Sequence, residues 1–123
     1  MAKAQPHKRL VNACLEVLAT RRVLAWENKT GGRKIQRPDG TLRWLEWGKK
    51  GSADIIGCMP NGRFLAVECK VGRDKLSPGQ AAFLADVLTH KGFGYVAEDN
   101  TDGLLAAIDV AIPHITVNDR RQQ

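Results

Sequence analysis

Asp54 and the pair Glu68 and Lys70 are the residues whose types and spacing could do chemistry. Asp54 lies in an apolar stretch, Ala53 to Met59, and Glu68 and Lys70 close a second one, Arg63 to Lys70. Pro60-Asn61-Gly62 between them suits a three-residue hairpin loop, in which Pro opens a type I turn and Gly takes the left-handed position. Met59 then faces Arg63, and Asp54 falls opposite Glu68. A two-residue loop would shift the pairing by one residue and part the two acids. Along the second stretch Leu65, Val67 and Cys69 point one way and Ala66, Glu68 and Lys70 the other, with Glu68 and Lys70 about 7 Å apart on one face. Opposed carboxylates destabilise a sheet, and a bound cation is the usual reason to keep them. Asp54, Glu68 and the Cys69 backbone carbonyl make a hard oxygen site suited to Mg2+ or Mn2+, ions that retain water and meet phosphates. Lys70 beside such an ion can help deprotonate an attacking water or stabilise charge on a phosphate. Glu-x-Lys alone reads as readily as a same-face ion pair on an exposed strand. Asp54 in register, the Gly51-Ser52 approach and a nearby basic segment reverse that balance.

These residues need a scaffold. Residues 6 to 21 read as an amphipathic helix with Leu10, Cys14, Val17 and Leu18 at helical spacing. Val23 to Trp26 is a short strand that Thr30-Gly31-Gly32 breaks. Pro38-Asp39-Gly40 marks a turn, so residues 33 to 47 form a protruding basic hairpin. After a polar loop, Gly72 to Lys75, Ser77-Pro78-Gly79-Gln80 opens a helix with an N-cap Ser, Pro at the first position and a capping-box Gln. This helix runs to about Lys91 and stops at Gly92. Phe93 to Glu98 is a strand, Asp102 to Ala111 a last helix, and the tail from Asn118 is polar. The expected class is α/β: one domain with a mixed central sheet flanked by helices.

The 123 residues carry a net charge of +6, with 43% hydrophobic and 26% charged side chains. No apolar run approaches the ~20 residues that span a bilayer. The basic start of the chain leads into an amphipathic stretch interrupted by Glu16, which is not a signal peptide. Cys14, Cys58 and Cys69 are odd in number, loosely spaced and in apolar surroundings, which argues against a disulfide framework and for a reduced, cytoplasmic setting. Seven of the basic residues and only two acids fall between Lys29 and Lys50. This run favours a polyanionic partner. Arg43, Lys49, Lys50, Ser52, Arg73 and Lys75 are the candidate phosphate contacts. Trp26, Trp44 and Trp47 read as core or dimer contacts rather than stacking platforms. His90 and His114 have no partners at zinc spacing, and no nucleophilic triad or phosphate-binding glycine loop is present.

Gly51-Ser52-Ala53-Asp54-Ile55-Ile56-Gly57, Gly62 through Lys70, Leu76 through Phe83 and Gly92 through Ala97 together resemble the VRR-NUC branch of the PD-(D/E)XK nucleases. The resemblance spans roughly residues 7 to 100. It implies a restriction-endonuclease-like fold with an αβββαβ core and hydrolysis of DNA phosphodiesters. It also implies metal-ligand roles for Asp54 and Glu68, a catalytic lysine at Lys70 and a functional glutamine at Gln80. Standalone domains of this kind are commonly phage-encoded, and some are homodimers that act on branched DNA such as four-way junctions. One departure stands out. Family members often carry a Glu at the start of the first helix, where this sequence has His7, and Glu16 lies two turns later.

Overall fold

The computed structural model describes residues 5–112. The first helix, α1 (Pro6–Thr20), opens with proline, whose missing N–H is no loss in a first turn. It buries Leu10, Val11, Cys14 and Leu18, a stripe at helical spacing, with Val17 half-buried beside it. Strand β1 (Leu24–Glu27) follows, then β2 (Gly31–Gln36) and β3 (Leu42–Trp47), then β4 (Ile55–Cys58) and β5 (Phe64–Lys70). Helix α2 (Pro78–Thr89), strand β6 (Phe93–Glu98) and helix α3 (Asp102–Ala111) complete the described chain.

Strands β1, β4, β5 and β6 form one sheet in that order. The β1–β4 and β4–β5 pairs are antiparallel and β5–β6 is parallel. The succession α1, β1, β4, β5, α2, β6 is the expected αβββαβ core, a mixed sheet flanked by helices consistent with a restriction-endonuclease-like fold. Strands β2 and β3 form a separate two-stranded hairpin inserted between β1 and β4.

The β4–β5 register is the one the turn chemistry predicts. Ile55 pairs with Val67 and Cys58 with Phe64. Met59 N–H donates to the Arg63 carbonyl at 2.8 Å, and Gly62, at φ +89°, donates to the Met59 carbonyl. Residues Leu65 to Cys69 are all buried because both faces of β5 are covered. Leu65, Val67 and Cys69 pack with the α1 stripe and with Leu104 and Ile108 of α3. Ala66 packs on the other face with Leu84 and Val87 of α2. Arg21 ties α1 to α3 through a two-pronged contact with Asp109, at 2.7 and 3.2 Å.

Four expectations are corrected. Gly31 and Gly32 do not break the chain but begin β2, because the indoles of Trp47 and Trp44 lie against them where a Cβ would sit. Trp26, Trp44 and Trp47 are not core residues; each is about half exposed, since nothing among the described residues covers them. Cys58 is exposed at the end of β4, whereas Cys14 and Cys69 are buried with their sulfurs 3.9 Å apart. Helix α2 ends at Thr89, two residues early, and Lys91 rather than Gly92 takes the left-handed conformation, at φ +65°. Gly92 is needed for space instead, as a Cβ there would meet Val87 and the Phe64 carbonyl. His114 and the tail from Asn118 lie outside the described residues.

Candidate active site

Glu68 is the one buried charged residue among those described, 2% exposed, in the centre of β5. Its Oε2 has no hydrogen-bond partner. Burying such an atom without a partner costs on the order of 1–3 kcal/mol. Asp54 occupies the bend that leads into β4, held there because its carbonyl accepts the Asn28 N–H at 2.7 Å. Its Oδ2 accepts the backbone N–H of Cys69 at 2.8 Å and lies 3.2 Å from His7 Nε2. The register thus brings Asp54 beside the strand that carries Glu68 and Lys70, although Asp54 itself stands just outside the ladder.

The two carboxyl groups perturb one another. Burial, then the hydrogen bond and charge of Asp54, push Glu68 up to about 8, with Lys70 pulling partly the other way. Burial would also raise Asp54, but its hydrogen bonds with Glu68, the Cys69 N–H and His7 outweigh it and hold Asp54 below the usual carboxylate range. Without a cation the pair therefore retains one proton near neutral pH. A residue's N–H and C=O leave an extended strand on the same side. The Cys69 carbonyl therefore shares the β5 edge whose N–H reaches Asp54.

Among the described residues no three His, Cys, Asp or Glu side chains gather into a metal cluster. The donors on offer are two carboxylates and a main-chain carbonyl. They fit a divalent cation with oxygen preference, because such an ion would satisfy the orphaned Glu68 oxygen and displace the shared proton.

Residues 4–98 match the family model of the VRR-NUC domain. The chain belongs to the VRR-NUC family. Neither the curated proteins nor the solved structures contain a match to it. Membership makes this VRR-NUC chain a nuclease with DNA as its partner. No helix of the described residues is long and apolar enough to cross a membrane.

The other sequence candidates distribute unevenly around the VRR-NUC carboxylates. Gln80 closes the expected capping box: its Oε1 accepts the Ser77 N–H at 2.9 Å, and Ser77 Oγ accepts the Gln80 N–H at 3.1 Å. The side-chain amide N–H groups of Gln80 are not used by this cap. Gly51, at φ +83°, abuts the backbone of Gly79, which sets the loop carrying Lys49, Lys50 and Ser52 against the first turn of α2. The Ser52 hydroxyl is engaged inside that loop, accepting from Asn28 Nδ2 at 2.7 Å and donating to the Lys49 carbonyl, so a phosphate would have to compete for it. Lys49, Lys50, Arg73 and Lys75 are exposed on the loops flanking Asp54 and Lys70, whereas Arg43 stands on the hairpin. Two residues matter more than the sequence suggested. His7, at the start of α1, reaches Asp54, while Glu16 is exposed. Asn28 ties the end of β1 to Ser52, Ala53 and Asp54. An Asn just before the Lys-Thr-Gly-Gly segment was the only signal for it.

Proposed function

We propose that this VRR-NUC chain is a divalent-metal-dependent endonuclease that hydrolyses DNA phosphodiesters. The observation that carries this reading is the buried Glu68 carboxyl, left with an unpartnered oxygen beside Asp54. Native folds pair nearly all their buried polar atoms, and an orphaned carboxylate oxygen supports a bound partner that completes it. Asp54, Glu68 and the Cys69 carbonyl would hold Mg2+ or Mn2+. When bound, the ion would supply Lewis-acid stabilisation of phosphate charge and lower the pKa of a coordinated water.

The remaining work falls to the chain's own groups. Asp54 is kept ionised and oriented by the Cys69 N–H and His7. Glu68 gives up its proton before the site can load. Lys70 lies close enough to influence Glu68 and stabilises the negative charge that builds on the phosphate oxygens as water oxygen bonds to phosphorus. The P–O3′ bond breaks, leaving a 3′-hydroxyl and a 5′-phosphate. Gln80 directs its free amide N–H groups to the scissile phosphate or its water. Lys49, Lys50, Arg73 and Lys75 contact neighbouring phosphates, which fix position without reading sequence. By family resemblance the preferred substrates are branched, four-way junctions included, and the acting species is a homodimer.

Incubating the protein with labelled duplex, flap and four-way-junction DNA, with Mg2+, Mn2+ or EDTA, tests the reading. Metal-dependent cleavage that disappears in Asp54→Ala and Glu68→Ala is expected. Cleavage that persists in either variant, or in EDTA, would overturn it.

A further inference from the structure

The β2–β3 hairpin carries an exposed feature that the hydrolytic site does not use. At the base of the β2–β3 hairpin lies a cleft of about 380 Å3 bordered by Gly31, Gly32, Trp44, Glu46, Trp47 and Lys50. Trp44 lies across Gly32, where a Cβ would come within 2.5 Å of its ring, and Trp47 lies across Gly31 at 3.0 Å. Glycine at both positions lets each indole settle against the backbone. The Trp44 ring is further fixed by its Nε1–H, which donates to Glu46 at 2.9 Å. Both rings nevertheless stay about half exposed, with Trp44 at 54% and Trp47 at 46%. Packing over the glycines fixes one face of each indole, and the exposed remainder is a platform for a flat ligand.

Charge and position select the ligand. The cleft lies in the Lys29–Lys50 segment, which has seven basic residues against two acids. That surface repels a second copy of itself and attracts a polyanion. It is also continuous with the catalytic end. Lys50 leads through Gly51 and Ser52 to Asp54, and Thr30 stands two residues beyond Asn28, whose N–H bonds the Asp54 carbonyl.

We infer that this cleft is a stacking site for an unpaired nucleobase of the DNA substrate, with Trp44 as the platform. Bases inside a duplex already stack on their neighbours and cannot use it, so the cleft selects DNA with a single-stranded flap, gap or branch point. The inference takes only its ligand class, DNA, from the nuclease reading. Stacking on an aromatic side chain changes affinity by roughly 5- to 150-fold per base.

The test is binding without cleavage, in EDTA. A flap oligonucleotide carrying 2-aminopurine at its first unpaired positions is titrated with the full chain, and a fully paired duplex of equal length is titrated by anisotropy. The expected result is quenching of the flap probe, a flap-to-duplex affinity ratio that falls roughly 5- to 150-fold in Trp44→Ala, and substantial recovery in Trp44→Phe. No quenching by the unaltered protein, or an affinity ratio unmoved in Trp44→Ala, overturns the inference. So does loss of self-association in Trp44→Ala by sedimentation equilibrium, which would give the indole to a protein interface. Because no hydrolysis is read, failure here leaves the cleavage assay standing, and failure of that assay leaves this one interpretable.

Discussion

The carboxylate of Asp54 and the backbone N–H of Cys69 are joined by a 2.8 Å hydrogen bond across the end of β4. One oxygen of the acid is thereby tied to the strand that carries Glu68 and Lys70. The relative placement of the three groups depends on main-chain geometry rather than on flexible side chains.

Removing the acids should be far more damaging than their surface area suggests. Asp54→Ala or Glu68→Ala should lower Mn2+-supported cleavage at least about 10³-fold, several kcal/mol of transition-state stabilisation. Lys70→Ala should cost about 10²- to 10⁴-fold. Single-turnover rates on a labelled flap would check both.

The carboxyl pair predicts an unusual pH profile for the metal-free protein. Glu68 is raised in the folded state to about 8 from an ordinary 4.5, so the fold binds its proton more tightly than the unfolded chain does. Stability should therefore fall as pH rises from about 5 to 8, by at most about 1.4 kcal/mol per pH unit. The Asp54 shift has the opposite sign but acts only below its ordinary 3.8, outside this window. Thermal unfolding of the EDTA-treated protein across this range should show the decline, and Glu68→Gln should flatten it. Calorimetric titration with Mn2+ at pH 7 in buffers of different ionisation enthalpy should detect proton release; none would contradict the shared proton.

Gln80 can be separated into its two roles. Gln80→Ala should lose about 0.5–1 kcal/mol through the broken capping box, and Gln80→Glu should keep the cap. If only the cap matters, Gln80→Glu cleaves normally. The proposed amide contact predicts that both variants lose cleavage, because a carboxylate cannot donate to a phosphate.

His7→Ala should weaken Mn2+ affinity by about 10- to 100-fold, the usual cost of losing a group that orients a metal ligand. A variant with unchanged affinity would reduce the 3.2 Å contact to a surface pairing.

Two glycines offer a contrast in how a fold uses the same residue. Gly57→Ala would drive a Cβ to 2.2 Å from the Leu24 carbonyl and should cost several kcal/mol or prevent folding. Gly62→Ala meets no atom within 4 Å and pays only for its left-handed backbone, about 1 kcal/mol. Urea unfolding midpoints would separate the two.

Much of this arrangement is legible in the sequence because it follows from local rules. The Pro60-Asn61-Gly62 turn and strand alternation set the β4–β5 register, and the Ser77-Pro78 start places α2 within a residue. What local rules miss is decided by distant partners. Gly31 and Gly32 look like a break until indoles from the facing strand occupy the space their missing side chains leave. His7 looks like a solvated terminal residue until the fold brings it to Asp54, 47 positions away. The tryptophans look like core because nothing in their spacing says that no helix covers the hairpin. Even Glu68 gives no local sign that it is buried, since its environment is made by α1 and α2 closing on opposite faces of the sheet.

The direct pairing of β1 with β4 has one more consequence. Glu27 and Ile55 are cross-strand neighbours, so the chain leaves the sheet and re-enters it at nearly the same point. Between those ends the β2–β3 hairpin, Gly31 to Trp47, is an appendage whose base the core has already closed. Such an appendage can lengthen, shrink or change composition without disturbing the hydrolytic machinery. Selection could therefore retune what this protein grips while leaving how it cuts untouched.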